Sequence, residues 1–497
     1  MAFSEKQIQT YIWEHRDTIF SRIVTPDFTE PHNIKVFSSE PWEVLYKMLM
    51  TEYELWYILL KDMNLFGCEV SLPKMNESTI RADFLGCFTG ENGLIVCELK
   101  VNKDPERQAY TELPAYATHI RGAFSPMGRN DIVYLLISPM EERITREATI
   151  NTLLYDKNRT IVLTPEVGDD IDSLKFHLWL PSKRDLKVLS KSAFAYDNID
   201  TFKVCWRGEP GIWSPVDKGL NPDDQMVHQL NQVSAYAAQL MEEKGINGFV
   251  FCSQCYPEVR DAGFLENSIT ICGINPYKSA KTRLLYEKGL NLKEAAQQEV
   301  SDYSIINIFP SLGNRCKDAN SECNYWEWMS QSWSSCLDRI AFDVIDVVTK
   351  NYKGSTPERG YGGFTWEQYL FNSGEDRSCW NYDIHLTGMI RELYVSYYQM
   401  LYDEIKKCDD EEVKEYIMSE YFIDENFIDM LNSQVAIRTF IYKMVSESED
   451  DEIEDPSFDD IIFHDDPGAD TYLQEEAVKK YIEEGPTLRT LPESGEK

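Results

Sequence analysis

The sequence of 497 residues has few basic side chains for its size. It contains 49 Lys and Arg against 84 Asp and Glu, a formal net charge of −35. A chain with this charge is not held to nucleic acid or anionic lipid by bulk attraction, so a polyanionic substrate would have to bind a local basic surface. There is no apolar run of about 18 residues, the length that spans a membrane, and no basic-then-apolar signal pattern. We therefore expect no membrane association and a cytoplasmic location.

Cysteine is also sparse, and the twelve cysteines lack the spacing of a disulfide framework. Cys252 and Cys255 form the one close pair. No second pair at a zinc-site spacing accompanies them, so we interpret the cysteines as reduced thiols, with structural zinc as the minor alternative. The sequence has no internal repeat, no phosphate-binding loop and no dinucleotide fingerprint, which argues against a nucleotide-driven motor.

The order of predicted elements indicates several domains. Residues 1–165 follow the pattern helix, strands, helix, strands, which predicts an α/β domain with a mixed central sheet flanked by helices. We expect an α+β domain at 166–320, a mainly helical region at 321–445 and an acidic, flexible tail at 446–497. Between Ser446 and Asp470 there are twelve carboxylates and no Lys or Arg, which is typical of a solvated segment. A strip that mimics nucleic acid, or that docks on a basic patch of the same protein, is the alternative.

The segment most informative for chemistry is a predicted β-hairpin. Its second strand, at residues 94–101, carries Glu98 and Lys100 on the same side, because side chains alternate along a strand. A turn at residues 90–91 sets Asp83 opposite Glu98, since paired residues of a hairpin keep a constant sum of sequence numbers. Two opposed, half-buried carboxylates repel each other unless a divalent cation or a proton lies between them.

These residue types predict a hydrolase site. Mg²⁺, or alternatively Mn²⁺, is the kind of cation that carboxylate oxygens bind. With the metal between Asp83 and Glu98, Lys100 would orient or help deprotonate a water for in-line attack on a phosphodiester. A structural alternative is a cross-strand salt bridge from Asp83 to Lys100 or Arg81, with Glu98 paired to another basic side chain.

The arrangement of Asp83 with Glu98-x-Lys100 resembles the PD-(D/E)XK nuclease superfamily, which has the restriction-endonuclease-like fold, over residues of about 40–165. Ala82 stands where the family frequently has Pro, a common variation. The resemblance implies a Mg²⁺-dependent DNA endonuclease in which Asp83 and Glu98 bind the metal and Lys100 is catalytic. A nuclease region joined to a large further part and an acidic tail is similar to proteins that restrict phage or mobile DNA, so we expect a role in antiviral defence.

The resemblance also assigns roles to two flanking helices. Members of the superfamily often place a Glu of the first core helix near the metal. On that predicted helix Glu52 falls at the centre of an apolar stripe that includes Trp56, so the role is assigned to Glu52. A Glu paired with a basic side chain at the core edge is the alternative. On the downstream helix relatives carry a Gln and a Tyr, usually four residues apart. Gln108 is assigned the supporting role, although Tyr116 lies eight residues beyond it.

Basic side chains near the hairpin are candidates for phosphate contacts, with ordinary solvated side chains as the alternative for each. They are Arg81, Lys103, Arg107 and Arg121. The tryptophans of residues 325–333 are interpreted as helix core, with base stacking as the alternative. Residues 181–445 carry no predicted chemistry and are expected to sense a signal, contact a partner protein or form a homo-oligomer interface. Two competing interpretations of the whole chain are a non-catalytic module with the nuclease fold and an acidic DNA mimic.

Overall fold

The structure of the protein is a computed structural model that describes residues 3–36, 39–73, 78–88, 93–102, 108–124, 127–128, 131–154, 159–207, 224–255, 265–300, 325–349, 359–362, 379–407, 414, 418 and 427–445. The chain divides into two compact units. The first comprises Met1–Ile34 and Tyr46–Leu186, and the second comprises Lys35–Leu45 and the chain from Lys187 onward.

The elements up to residue 193 alternate between helices and strands. The helices are α1 (Glu5–Glu14), α2 (Thr29–Asn33), α3 (Pro41–Lys61), α4 (Ala109–Ala123), α5 (Arg143–Leu154) and α6 (Lys183–Ala193). The strands are β1 (Met63–Leu72), β2 (Ile80–Phe88), β3 (Leu94–Leu99), β4 (Ile132–Ile137), β5 (Thr160–Glu166) and β6 (Lys175–Leu178).

The six strands form one mixed sheet in the order β1-β2-β3-β4-β5-β6. Strands β1, β2 and β3 are antiparallel neighbours, β3, β4 and β5 are parallel, and β6 returns antiparallel to β5. Parallel neighbours need a crossover connection, which α4 and α5 supply. The predicted mixed α/β fold with a central sheet flanked by helices is confirmed. The predicted boundary at residue 165 lies within β5.

Apolar side chains cover both faces of this sheet, and alternation along β3 decides which face each residue joins. Ile95 and Leu99 belong to a core cluster with Trp56 of α3, whereas Val96 belongs to the cluster packed against Leu113 of α4. Glu98 has the same parity as Val96, so the strand directs it toward the α4 face.

The second unit contains a separate sheet and most of the helices. The strands are β7 (Ile199–Trp206), β8 (Gly248–Cys255), β9 (Asn267–Ile274), β10 (Arg359–Gly362), β11 (Cys379–Asn381) and β12 (His385–Thr387). The helices are α7 (Asp224–Glu243), α8 (Pro276–Glu287), α9 (Leu292–Gln297), α10 (Tyr325–Thr349), α11 (Gly388–Lys406), α12 (Phe427–Asn432) and α13 (Gln434–Met444).

All pairings in the second sheet are antiparallel, in the order β10-β7-β9-β8-β11, and β12 also pairs with β8. Residues of α7 and α10 complete its apolar core. Trp326 is fully buried and donates its Nε1–H to the Tyr277 carbonyl at 3.0 Å, whereas Trp328 is exposed. The helices from α10 to α13 form the predicted helical region near the C-terminus, while the predicted acidic tail at 446–497 lies outside the described residues.

Two further sequence expectations concern thiols and membranes. Cysteines that the structure describes, Cys252 and Cys255 among them, are free thiols. In the described parts of the chain, every helix is too short or too polar to cross a bilayer.

Candidate active site

The hairpin formed by β2 and β3 has the register that the sequence predicts. Phe84 pairs with Cys97 and Cys87 pairs with Leu94, so these pairs keep one sum of sequence numbers. Continuing that register by one residue sets Asp83 opposite Glu98. The turn at residues 90–91 that was used to predict this register lies outside the described residues.

Asp83 lies where the ladder between β2 and β3 ends. The Leu99 N–H, which would continue the ladder, instead donates to Asp83 Oδ2 at 2.8 Å. The Gln9 side chain of α1 donates through Nε2 to Asp83 Oδ1 at 2.9 Å. Among the described residues the carboxylate thus accepts two neutral donors, and not the ion pair of the salt-bridge alternative. Burial raises the pKa of Asp83, although the Leu99 N–H and the charge of Lys100 act in the opposite direction.

Glu98 and Lys100 are buried at the end of β3, with 4% and 8% of their side chains exposed. They form an ion pair with each other, and Lys100 Nζ also lies 2.9 Å from Oε2 of Glu112 on α4. The Lys100 N–H donates to the Ile137 carbonyl of β4 at 2.8 Å, which fixes this residue to the centre of the sheet. Lys100 therefore bridges a carboxyl group of the sheet and one of the helix packed on it.

The pKa values within this cluster shift in different directions. Burial and the charge of Asp83 raise the pKa of Glu98. At Glu112 burial acts upward, but hydrogen bonds with Lys100 and Glu98 lower the pKa overall. Burial alone would lower the pKa of Lys100, yet the charges and hydrogen bonds of Glu98 and Glu112 raise it. Of the two carboxyl groups, Glu98 therefore binds a proton more readily than Glu112, and Lys100 is a cation at neutral pH.

The cluster has the donor chemistry of a site for a hard cation. Glu98 Oε2 is buried and accepts no hydrogen bond from the described residues. The Glu98 carboxyl group meets that of Glu112, which requires a proton or a cation between them. Within the described ranges no three His, Cys, Asp or Glu side chains form a metal cage. Mg²⁺ commonly takes only one or two carboxylates and completes its shell with water and substrate phosphates, so Asp83 and Glu98 fit it, or Mn²⁺.

A divalent cation is expected to stabilise the protein more at alkaline than at acidic pH. Carboxyl groups whose pKa is raised on folding, here Asp83 and Glu98, bind more protons in the folded than in the unfolded protein. Stability is therefore lost as the pH rises from the ordinary carboxyl pKa of about 4 toward the raised values. The pKa of Glu112 is lowered, so this residue makes the folded protein more stable as the pH rises. That contribution changes only near or below the ordinary carboxyl pKa.

Because a cation competes with those protons, we expect Mn²⁺ to raise the unfolding temperature more at about pH 8 than at about pH 5.5. Scanning calorimetry with and without Mn²⁺ measures this difference. The variant Glu98→Gln serves as the control, because it removes one of the two titrating ligands and should lose most of the effect. An equal Mn²⁺ effect at both pH values in the wild type would contradict competition at this site.

Glu52 is not joined to the cluster by any contact between described residues. It is exposed on α3, and its Oε1 accepts a hydrogen bond from Trp56 Nε1 at 3.2 Å. Its predicted position at the centre of the buried stripe is wrong. Tyr53, Tyr57 and Leu60 are buried whereas Leu59 is only partly buried, and the stripe drawn through all buried residues of α3 lies roughly 60° from the predicted one at 100° per residue. Glu52 consequently lies at the edge of that stripe.

The sequence analysis assigned no role to Glu112. In the structure Glu112, and not Gln108, is the residue of α4 that contacts the cluster. Gln108 is exposed before the first turn of α4, and its carbonyl accepts the Thr111 hydroxyl at 2.7 Å. No hydrogen bond among the described residues joins its side chain to the cluster. Glu112 lies one helical turn before Tyr116, whose pKa is raised by burial and by the charges of Glu98 and Glu112. In the family that the hairpin resembles, the Gln and the Tyr are usually four residues apart. Glu112 has this spacing from Tyr116, so the spacing could have identified Glu112 from the sequence.

The predicted phosphate-binding residues are distributed unevenly. Arg81 is exposed on β2, two residues before Asp83, and its charge reaches Glu69 on β1. Arg121 is in the last turn of α4, about 13 Å along the helix axis from Glu112. Lys103 and Arg107 lie outside the described residues. Of the two described candidates, Arg81 and Arg121, it is Arg81 whose charge acts on a carboxylate of the sheet.

The second unit contains an open cavity of about 760 Å³. Its walls come from α7, β12, α11, α12 and α13, with apolar side chains such as Leu386 and Tyr394. An ion pair between Arg391 and Glu242 lies at 3.0 Å on its lining. The sequence predicted no chemistry for residues 181–445, and the cavity shows no arrangement of catalytic groups.

Comparison of the chain with protein-family models, curated proteins and solved structures gave no match. The geometry of the cluster and the residue pattern of the hairpin are therefore what indicate a function for this chain.

Proposed function

We propose that this protein is a metal-dependent nuclease that hydrolyses phosphodiester bonds, with DNA as substrate and internal cleavage as its mode of attack. The observation that carries this proposal is the buried pair of Glu98 and Lys100, with the half-buried Glu112 on Lys100 and Asp83 nearby. A salt bridge needs one carboxylate, whereas this group holds an excess of carboxyl groups, and burial together with the charge of Asp83 raises the pKa of Glu98. Such clusters of perturbed ionisable groups are typical of functional sites.

Asp83 and Glu98 are the residues that would hold Mg²⁺ or Mn²⁺. When bound, the cation would offset the negative charge that develops on the phosphate oxygens during hydrolysis. The neutral donors on Asp83, from Leu99 and Gln9, orient its carboxylate and leave further lone pairs free. The protein thereby supplies two hard oxygen ligands in a fixed relation, set by the register of one hairpin.

Lys100 acts as a positioning cation. Its raised pKa keeps the ammonium group protonated, so it donates hydrogen bonds to a water or a phosphate oxygen and does not act as the base. Glu112 holds the ammonium group from α4 and has a lowered pKa, so it stays ionised. The lowered pKa makes Glu112 a weak base, so its role is to hold Lys100, and the proton of the attacking water passes to solvent.

The exposed cations near the carboxylates support nucleic acid as the class of substrate. Arg81 on β2 and Lys6 on α1 both act on Glu69, the neighbour of Asp83 across the sheet. With a net charge of −35, local cations of this kind are what a polyanion requires. A role in defence against phage or mobile DNA is the biological setting that we propose for this activity.

The proposal is tested by incubating supercoiled and linear DNA with the full chain in Mg²⁺, Mn²⁺ or a chelator. We expect cleavage of both forms that depends on the metal and is absent in Glu98→Gln. The matched control is Glu147→Gln, which alters an exposed carboxylate of α5 that pairs with Arg143. It should cleave as the wild type does.

Other outcomes of that experiment decide between the alternatives. Cleavage of linear DNA alone would replace internal cleavage with attack from the ends. In a parallel incubation with RNA, cleavage of RNA and not of DNA would replace the substrate. If DNA binds without cleavage in any metal, the protein is a non-catalytic module. Activity that persists in Glu98→Gln would refute the proposed site.

A further inference from the structure

A buried glutamine of α1 contacts the predicted metal ligand Asp83. Gln9 is 5% exposed, although its helical neighbours Ile8 and Ile12 are part of the apolar core. Its Nε2 donates to Asp83 Oδ1 at 2.9 Å across 74 residues of sequence. Burying an amide group in a core costs free energy unless its hydrogen bonds are made, so this position serves the contact with Asp83.

The orientation of the Gln9 amide is fixed from its other end. Lys6 Nζ donates to Gln9 Oε1 at 3.2 Å. An ammonium group only donates hydrogen bonds and an ionised carboxylate only accepts them. With Lys6 on one side and Asp83 on the other, the amide therefore has one favourable orientation, in which the oxygen faces Lys6 and the nitrogen faces Asp83.

Lys6 is in turn held by Glu69, which has an unusual backbone conformation. Glu69 has a φ of 49°, in the left-handed region that residues other than glycine seldom adopt. It lies between Cys68 and Val70, whose partners Phe84 and Ala82 flank Asp83 on β2. The Glu69 carboxylate pairs with Lys6. Backbone strain of this kind is concentrated at functional sites.

The start of α1 is also held firmly. Ser4 and Gln7 form a capping box, in which the Ser4 hydroxyl accepts the Gln7 N–H and the Gln7 side chain accepts the Ser4 N–H. This cap fixes the first turn of the helix, and Lys6 and Gln9 lie one turn apart on it. The helix therefore presents the amide to the sheet as part of an ordered structure.

We propose that Gln9 is a positioning residue of the active site, which holds Asp83 in its metal-binding orientation. This inference rests on the proposed function. Asp83 is held at Oδ2 by the Leu99 N–H and at Oδ1 by Gln9, so loss of the amide leaves one anchor. A carboxylate held at one oxygen only can rotate away from the orientation that binds the metal, so loss of the amide weakens metal binding.

The test uses Gln9→Met in the full chain, because methionine conserves the volume and removes the amide. We expect Mn²⁺ affinity, measured by titration calorimetry, to fall by about 10- to 100-fold. The metal concentration needed for half-maximal cleavage should rise by the same factor, a change that a purely structural role would not produce. Most of the cleavage rate should return at saturating metal.

Two further variants make the result specific. Thr10→Ala is the matched control on α1, because the exposed Thr10 hydroxyl donates to the Lys6 carbonyl and has no other hydrogen bond among the described residues. This variant should behave as the wild type. Lys6→Met leaves Gln9 in place but releases the orientation of its amide, so it should change metal affinity in the same direction by a smaller factor. This variant keeps the test decisive if Gln9→Met does not fold.

The outcomes separate this inference from the proposed function. A wild type that cleaves and binds Mn²⁺, with Gln9→Met unchanged in metal affinity and in the metal dependence of cleavage, overturns the role of Gln9 alone. A lower unfolding temperature without a change in metal affinity would show a purely structural role and overturn it too. A wild type that neither binds Mn²⁺ nor cleaves DNA overturns both proposals.

Discussion

Replacing Glu98 with Gln is expected to stabilise the metal-free protein and to abolish cleavage. The amide keeps the shape of the side chain and removes a buried carboxyl group whose pKa is raised by burial and by Asp83. Lys100 keeps Glu112 as its partner at 2.9 Å, so no unpaired charge remains. We expect the free energy of unfolding at neutral pH to rise by about 1 kcal/mol or more. Cleavage should fall by at least about 100-fold.

Calorimetry and a DNA cleavage assay on the same preparation measure the two effects. The matched control is Glu166→Gln, which alters a carboxylate that is 69% exposed and pairs with His177. It should change neither property appreciably, because exposed ion pairs contribute little. If Glu98→Gln destabilises the protein, Glu98 is an ordinary member of a buried salt bridge, and the structural alternative is correct.

Replacing Lys100 with Met is expected to have the opposite effect on stability. The substitution removes the cation that bridges Glu98 and Glu112 and leaves their carboxyl groups facing each other. Breaking a buried ion pair from one side typically costs about 3–5 kcal/mol. The loss should be smaller at acidic pH, where protonation relieves the repulsion. Cleavage should also be lost, because no ammonium group remains to orient the water.

Addition of Mn²⁺ should restore part of the stability of Lys100→Met, because a divalent cation replaces the missing positive charge between the carboxylates. Denaturant unfolding with and without Mn²⁺ at two pH values measures this recovery. Lys183→Met is the control, since Lys183 and Glu30 form an exposed ion pair and its loss should cost about 1 kcal/mol or less. Failure of Mn²⁺ to stabilise Lys100→Met more than Lys183→Met would argue against a cation site.

The opposite signs expected for Glu98→Gln and Lys100→Met follow from a single property of the cluster. Its carboxyl groups outnumber its cations, so removal of an acid relieves repulsion and removal of the base increases it. A site with this imbalance is less stable without its ligand than a neutral core would be. Such a cost is common where a protein binds a charged ligand.

The sequence alone determined the relation between Asp83 and Glu98. A short turn fixes the register of a hairpin, and alternation along a strand then decides which residues share a side. Both rules act over a few residues, so composition and spacing were sufficient. For the same reason the apolar strands and the crossover helices of the first unit, such as β3 and α4, were predicted from their local patterns.

Tertiary structure decided which helical residues reach those carboxylates. The prediction for Glu52 used an apolar stripe of α3 that did not include Tyr53 and Tyr57. Both tyrosines are buried in the structure, so the buried face of α3 is centred away from Glu52. Glu112 came to the site because α4 packs on the face of β3 that carries Glu98. Gln9 contacts Asp83 although the two residues are 74 positions apart in the sequence. Helix rotation and long-range packing depend on the sum of many weak contacts, which local spacing does not encode.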